Sequence, residues 1–293
     1  MFMVVTGGTT TEHLIKALGW ALGLALLTAV LVWRGCLRPG SLGRCPSRDI
    51  GLGGLDLVAG LMWYALAPAL LARLGLDVDP AEAQSSGERA LGLLVMQAVI
   101  QLPVLVYMVH RALWRFDLLR RVGLLPRDLV GEVKAGLVGW LMAVPMVFSA
   151  IGVAVELAAA LGQPGLQVGH EMLIDIKCAD SQWTRASLIV SAVILAPIFE
   201  ETIFRGLLQT VMVAIAGTRR RWWIVLSCAA LFALAHVGET VDVRTLPGLF
   251  VLGVILGWLY ERTGSLLPGV LVHGGFNAVN TTIVLLVDLT PRL

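Results

Sequence analysis

Three short runs place ionisable and amide side chains one helical turn apart within otherwise apolar sequence. The run ILAPIFEETIFRGLLQTVMVAIAG, Ile194 to Gly217, holds Glu200, Glu201 and Arg205 at its centre. Phe232 and His236 stand four residues apart in FALAH, and His273 and Asn277 four apart in HGGFN. An i,i+4 relation stacks two side chains on one helix face, so Glu201 lies over Arg205, Phe232 beside His236 and His273 above Asn277. An ionised side chain at the bilayer centre costs ~2.5–3.5 kcal/mol even on the lenient insertion scale. Two glutamates and an arginine facing lipid would therefore be expensive, and burying the three polar faces together is the cheapest arrangement.

Pairing with Arg205 balances Glu201 and leaves Glu200 without a local partner. A buried carboxylate near an imidazole can serve as a general base. The structural alternative is an ion-pair network that fixes helix register, but one arginine cannot balance two carboxylates. Glu200, His236 and His273 would also make a His₂Glu set of the kind zinc hydrolases use. No HExxH pair is present and three separate helices would have to supply the ligands, so no cofactor is expected. Buried acids and histidines also form proton relays in transporters, although no two related halves are visible here. Phe232 reads as a packing residue.

The elements that carry these residues belong in a membrane. Of 293 residues, 57% are hydrophobic and 14% charged, with mean hydropathy +0.84. Soluble domains run nearer 45–50% apolar and about 25% charged. Eight windows can span or nearly span a bilayer: Leu14–Trp33, Gly53–Leu74, Ala90–Val109, Ala135–Leu161, Ala186–Ala216, Trp222–Val237, Pro247–Tyr260 and Gly269–Leu289. The expected fold is all-α, a polytopic membrane helix bundle of about eight spans. It forms one integral-membrane domain over residues 1–293, with supporting spans in 1–134 and the polar chemistry in 135–293. The sixth and seventh windows are short, and Pro197 could split the long fifth window into two half-helices. At ~1.5 Å per residue, Glu200 lies about 28 Å, His236 and Asn277 about 22 Å and His273 about 16 Å from the nearest inner-side arginines. With a tilt or kink, all four can share a cavity near the midplane.

Most Lys and Arg fall in loops after the odd-numbered windows, which places those loops in the cytoplasm and both termini outside. The basic residues flank the membrane, so no nucleic-acid partner is expected. His110 to Leu129 mixes Arg with Leu, Trp and Phe and reads as a helix on the inner interface, although topological signalling alone explains its charge. The first window follows no basic segment and suits a retained span. Cys36, Cys45, Cys178 and Cys228 form no CxxC pair and read as free thiols. Gly19/Gly23 and Gly253/Gly257 are GxxxG pairs that permit close helix approach. Asp56 and Glu156 are further acids within windows and have no assigned role.

The order EExxxR, FxxxH, HxxxN in a polytopic chain resembles the CPBP (ABI) family of intramembrane proteases, which includes the type II CAAX-prenyl endopeptidases. The likeness runs from Glu200 to Asn277. It implies a CAAX-protease-like helical core in the C-terminal half and glutamate-dependent peptide hydrolysis. By that resemblance Glu200 and His236 hold and activate water, and His273 and Asn277 donate to the oxyanion. Glu200, Glu201, His236, His273 and Asn277 are then the candidate catalytic residues, with Glu201 paired to Arg205 and with Arg205 and Phe232 as structural or tuning groups. The implied partners are a membrane-embedded, hydrophobic or lipidated peptide or protein as substrate, and membrane lipid. The Ala-, Leu-, Gly- and Arg-rich usage suggests a prokaryotic chain, and hence the inner membrane of a prokaryote as its setting. A non-catalytic partner or immunity module is the other reading the resemblance allows.

Overall fold

The computed structural model describes residues 8–38, 40–42, 45, 53–73, 123–163, 171–237 and 242–286, with scattered positions between 87 and 110. Regular structure among these residues is entirely helical. The helices are α1 (Thr10–Trp33), α2 (Gly54–Arg73), α3 (Leu129–Ala160), α4 (Glu171–Cys178), α5 (Gln182–Ala216), α6 (Arg221–Leu234), α7 (Leu246–Thr263) and α8 (Leu267–Leu286).

Five of these, α1, α3, α5, α7 with its preceding turn, and α8, are long and apolar enough to cross a membrane. The chain is an integral membrane protein. Leu14, Ile15, Leu18, Leu22 and Leu26 of α1 are exposed, a face that suits acyl chains rather than water. The Thr9 hydroxyl accepts from the Glu12 amide while the Glu12 carboxylate accepts from the Thr9 amide, a reciprocal cap that fixes where α1 begins.

The expected eight spans are not all recovered among the described residues. The window Gly53–Leu74 forms the 20-residue α2. The window Ala90–Val109, the connector 77–88 and the candidate interfacial helix at 110–129 lie largely outside the described residues. The sixth window becomes α6, whose 14 residues reach only ~21 Å at 1.5 Å per residue against a ~30 Å hydrocarbon core. The seventh window is longer than it reads: α7 has 18 residues and stops where Gly264 turns left-handed at φ 71°.

Pro197 does not divide the fifth window. Helix runs unbroken from Gln182 to Ala216, with π-helical turns at Ser191–Leu195 and Thr202–Gln209 on either side of a short α-helical stretch, Ala196–Glu201. A widened turn lets the chain pass a residue with no N–H and keep its course.

Helix α3 is the hub, packing against α1, α7 and α8, while α6 lies along α7. Val147, Ile151, Val155, Phe204, Leu207, Leu208, Phe232, Leu252, Leu256, Val272 and Phe276 form one buried cluster between these helices. Of the two GxxxG pairs, only the second marks close approach. A Cβ on Gly253 would sit 2.9 Å from the Ala229 Cα, whereas one on Gly19 would meet nothing within 4 Å. All four cysteines are free.

Candidate active site

Adjacent residues on an α-helix point about 100° apart, and this separates the two glutamates by environment. Glu200 faces a cavity of about 170 Å³, which His236, His273 and Asn277 also line. Glu201 is fully buried behind that wall and does not line the cavity. The predicted residues do converge, in two layers.

The front layer is built around one oxygen. Glu200 Oε2 lies 3.7 Å from His236 Nε2 and 3.9 Å from His273 Nε2, and has no hydrogen-bond partner of its own. Those separations exceed a direct hydrogen bond but can be bridged by one water. His236 Nδ1 lies 2.8 Å from the Phe232 carbonyl, which can only accept, so Nδ1 carries the proton. In neutral His236, Nε2 is then an acceptor directed toward Glu200. His273 Nδ1 faces Glu201 Oε1 at 3.2 Å and donates to that carboxylate. Donation from His273 Nε2 therefore requires the imidazolium form, with Glu201 as counter-charge.

The back layer holds the front in place. Arg205 Nη1 donates to Glu201 Oε1 at 2.9 Å, and Nη2 donates to the Gly253 carbonyl at 3.2 Å. The arginine is completely buried, with its guanidinium carbon 4.7 Å from the Phe232 ring centre. Phe232 also packs against both imidazoles, at 4.7 Å from the His236 ring and 5.6 Å, edge-on, from that of His273. The residue read as packing is thus the surface on which both histidines and the arginine rest. Its backbone carbonyl also sets the His236 tautomer.

Asn277 Nδ2 donates to the Ala192 carbonyl at 2.8 Å, across to α5. In the π turn the Ala196 amide bonds Ser191, five residues back, so the amide of residue 197 would be the partner of Ala192. Residue 197 is proline and has no N–H. Asn277 therefore satisfies the carbonyl that Pro197 orphans, and keeps its second N–H for the cavity. Gly274 permits the approach, since a Cβ there would collide with the Val193 carbonyl oxygen.

Sequence reasoning missed three polar residues of the cavity wall: Thr245, Asn280 and Thr281. Asn280 and Thr281 extend the His273/Asn277 face by another turn, a spacing that could have been read from the chain. Thr245 sits in a turn held by Asp242, whose carboxyl the Arg244 side-chain hydrogen bond holds below the usual aspartate range. Among the described residues, no group of three His, Cys, Asp or Glu side chains is placed to hold a metal ion. The acids left without a role have partners elsewhere in the fold. Glu156 meets His13 Nδ1 at 2.7 Å, and Asp56 accepts from the Gly53 amide at 2.7 Å and from the Tyr107 hydroxyl.

A family model described as type II CAAX prenyl endopeptidase Rce1-like matches residues 182–279, from the first residue of α5 to just past Asn277. An Escherichia coli protein described as an uncharacterized 24.3 kDa protein is 32% identical over 152 residues. That match covers 50% of this chain and 64% of the relative, short of two thirds of its length. No solved structure matches.

Proposed function

Because residues 182–279 belong to the Rce1-like family of type II CAAX prenyl endopeptidases, we propose that the chain is an intramembrane endopeptidase with Glu200 as its base. One observation carries the reading: a single unpartnered carboxylate oxygen faces two imidazole Nε2 atoms, at 3.7 and 3.9 Å, on the wall of a cavity inside the bundle.

In this reading a water donates one hydrogen to Glu200 Oε2 and the other to His236 Nε2, which leaves its lone pairs facing the cavity. The oxygen attacks the peptide carbonyl carbon as its proton passes to Glu200. The carbonyl oxygen becomes an oxyanion and accepts from the second N–H of Asn277 and from His273 Nε2 in its imidazolium form. Glu200 then returns the proton to the leaving nitrogen, the C–N bond breaks, and an acid and an amine are released. Glu201 and Arg205 touch no substrate atom. They position His273 and balance its charge.

The apolar surround supports a membrane-embedded or lipidated peptide as substrate, the Escherichia coli relative supports a prokaryotic inner membrane, and the placement of Lys and Arg supports both termini outside. Comparative membrane proteomics of cells expressing the natural protein or Glu200→Ala tests the activity. The expected result is that a set of neo-termini vanishes in the variant, a loss of at least about 10²-fold in cleavage. A variant that folds as the natural protein does and produces the same termini would falsify the peptidase reading. It would favour a partner-binding module or, if proton flux in liposomes depends on Glu201, a transporter.

A further inference from the structure

Resting on that peptidase reading, we propose that Asn280 and Thr281 form a substrate subsite that binds the backbone of an extended peptide about two residues from the bond cleaved. Both line the same cavity as Glu200 and His236, one turn of α8 beyond Asn277. Both lie past residue 279, outside the part of the chain that the family match covers.

The side chains present unused hydrogen-bonding groups. Asn280 Oδ1 and Thr281 Oγ1 are buried atoms with no partner, and Thr281 is 4% exposed. A hydroxyl in a helix can donate to the carbonyl four residues back. Thr28, Thr202, Thr263 and Thr282 all do so, at 2.7–2.8 Å. Thr281 does not, although its helix offers the same carbonyl. A hydroxyl and an amide oxygen held dry and unpaired on adjacent residues of the cavity wall are a site awaiting a ligand, since leaving them so carries the full cost of desolvation.

The register identifies that ligand. His273, Asn277, Asn280 and Thr281 fall on one helix face, at positions i, i+4, i+7 and i+8. At ~1.5 Å per residue the last two lie about 4.5–6 Å along the axis from Asn277. An extended peptide advances ~3.3 Å per residue, so a chain whose cleaved carbonyl meets Asn277 brings a peptide unit two residues away opposite the pair. Asn280 Oδ1 accepts from that unit's N–H and Thr281 Oγ1 donates to its C=O. The facing wall is Val147, Ile151, Leu249 and Leu252. The cavity's volume, about 170 Å³, compares with the ~150 Å³ engineered cavity that admits benzene. The substrate residue seated there is therefore apolar and no larger than a single ring.

The test uses full-length protein in lipid nanodiscs and internally quenched octapeptides of Ala with one Leu or Phe walked through every position. Natural protein should prefer the peptides whose apolar residue lies two from the cleaved bond. Thr281→Val, which keeps the shape and deletes the hydroxyl, should raise KM about tenfold with kcat unchanged, the pattern of lost ground-state binding. Thr281→Ser should restore KM. Replacing the amide N–H at that unit by an ester oxygen should cost natural protein about tenfold and the Asn280→Leu variant less than twofold. An unchanged KM in Thr281→Val, equal ester effects in both proteins, or no positional preference overturns the subsite. If Glu200→Ala abolishes cleavage while Thr281→Val changes nothing, the subsite alone falls. If Glu200→Ala cleaves normally, the peptidase reading falls first.

Discussion

Glu200 and Glu201 share a peptide bond and almost nothing else. Glu200 is partly exposed to a cavity, and Glu201 is enclosed between Arg205 and His273. A buried carboxylate stripped of the guanidinium that balances it costs about 3–5 kcal/mol, far more than the pair itself contributes. Arg205→Met should therefore destabilise the protein by about 3–5 kcal/mol in equilibrium unfolding in detergent, because it strands the Glu201 carboxylate. Adding Glu201→Gln to Arg205→Met should recover more than half of that loss, since the stranded charge is gone. Equal stabilities for the single and double variants would show that Arg205 acts through its contacts with Phe232 and the Gly253 carbonyl instead. Cleavage should not recover with stability, because the double variant has no counter-charge for His273.

At the scale of elements, what positions Glu200 is the way α5 accommodates Pro197. The π turn before it orphans the Ala192 carbonyl, and Asn277 of α8 meets it. Leaving a buried carbonyl unsatisfied costs about 1–3 kcal/mol, so Asn277→Leu should lose that much stability. Pro197→Ala supplies an N–H at the right position, and in the Asn277→Leu background it should return part of the loss. Double-mutant unfolding in detergent measures this coupling, and strictly additive effects would rule out the shared carbonyl. The three polar faces were legible in the sequence because a 3.6-residue period makes i,i+4 pairs neighbours whatever surrounds them. The reach of α7 and the continuity of α5 were not. Hydropathy reports where polar residues begin rather than where hydrogen bonding ends, and a proline reads as a break even when a widened turn carries the helix past it. Asn277 illustrates the same limit. Its place on the cavity face follows from spacing, but its bond to Ala192 depends on which carbonyl a distant proline leaves free.

Across the whole molecule, the N-terminal helix and the segment that follows it are tied to the candidate active-site core at two ends. At one end Arg221 of α6 donates to the Leu42 and Cys45 carbonyls and pairs with Glu261 at 3.2 Å, while the Trp258 indole donates to the Cys36 carbonyl at 2.9 Å. At the other, His13 of α1 meets Glu156 of α3, and both side chains are almost wholly buried. Neither tie was readable from local pattern, since His13 and Glu156 lie 143 residues apart, His13 stands in the polar lead-in to α1 and Glu156 is a lone acid in an apolar run. The second tie separates a structural role for α1 from a catalytic one. His13→Leu leaves Glu156 buried without its partner and should cost about 3–5 kcal/mol, whereas His13→Leu with Glu156→Leu replaces the pair by apolar contact and should come within about 1 kcal/mol of the natural protein. Exposed leucines hold α1 in lipid whether or not the pair is present, so the single variant should still insert. Its loss of stability should therefore appear as α1 separating from α3, read by faster crosslinking loss between cysteines placed at Trp20 and Gly152, which pack against each other. Cleavage by the double variant should match that of the natural protein, because no residue of the cavity wall has changed. A double variant as unstable as the single one would mean that the polar pair itself, rather than the avoidance of a stranded charge, joins the N-terminal helix to the core.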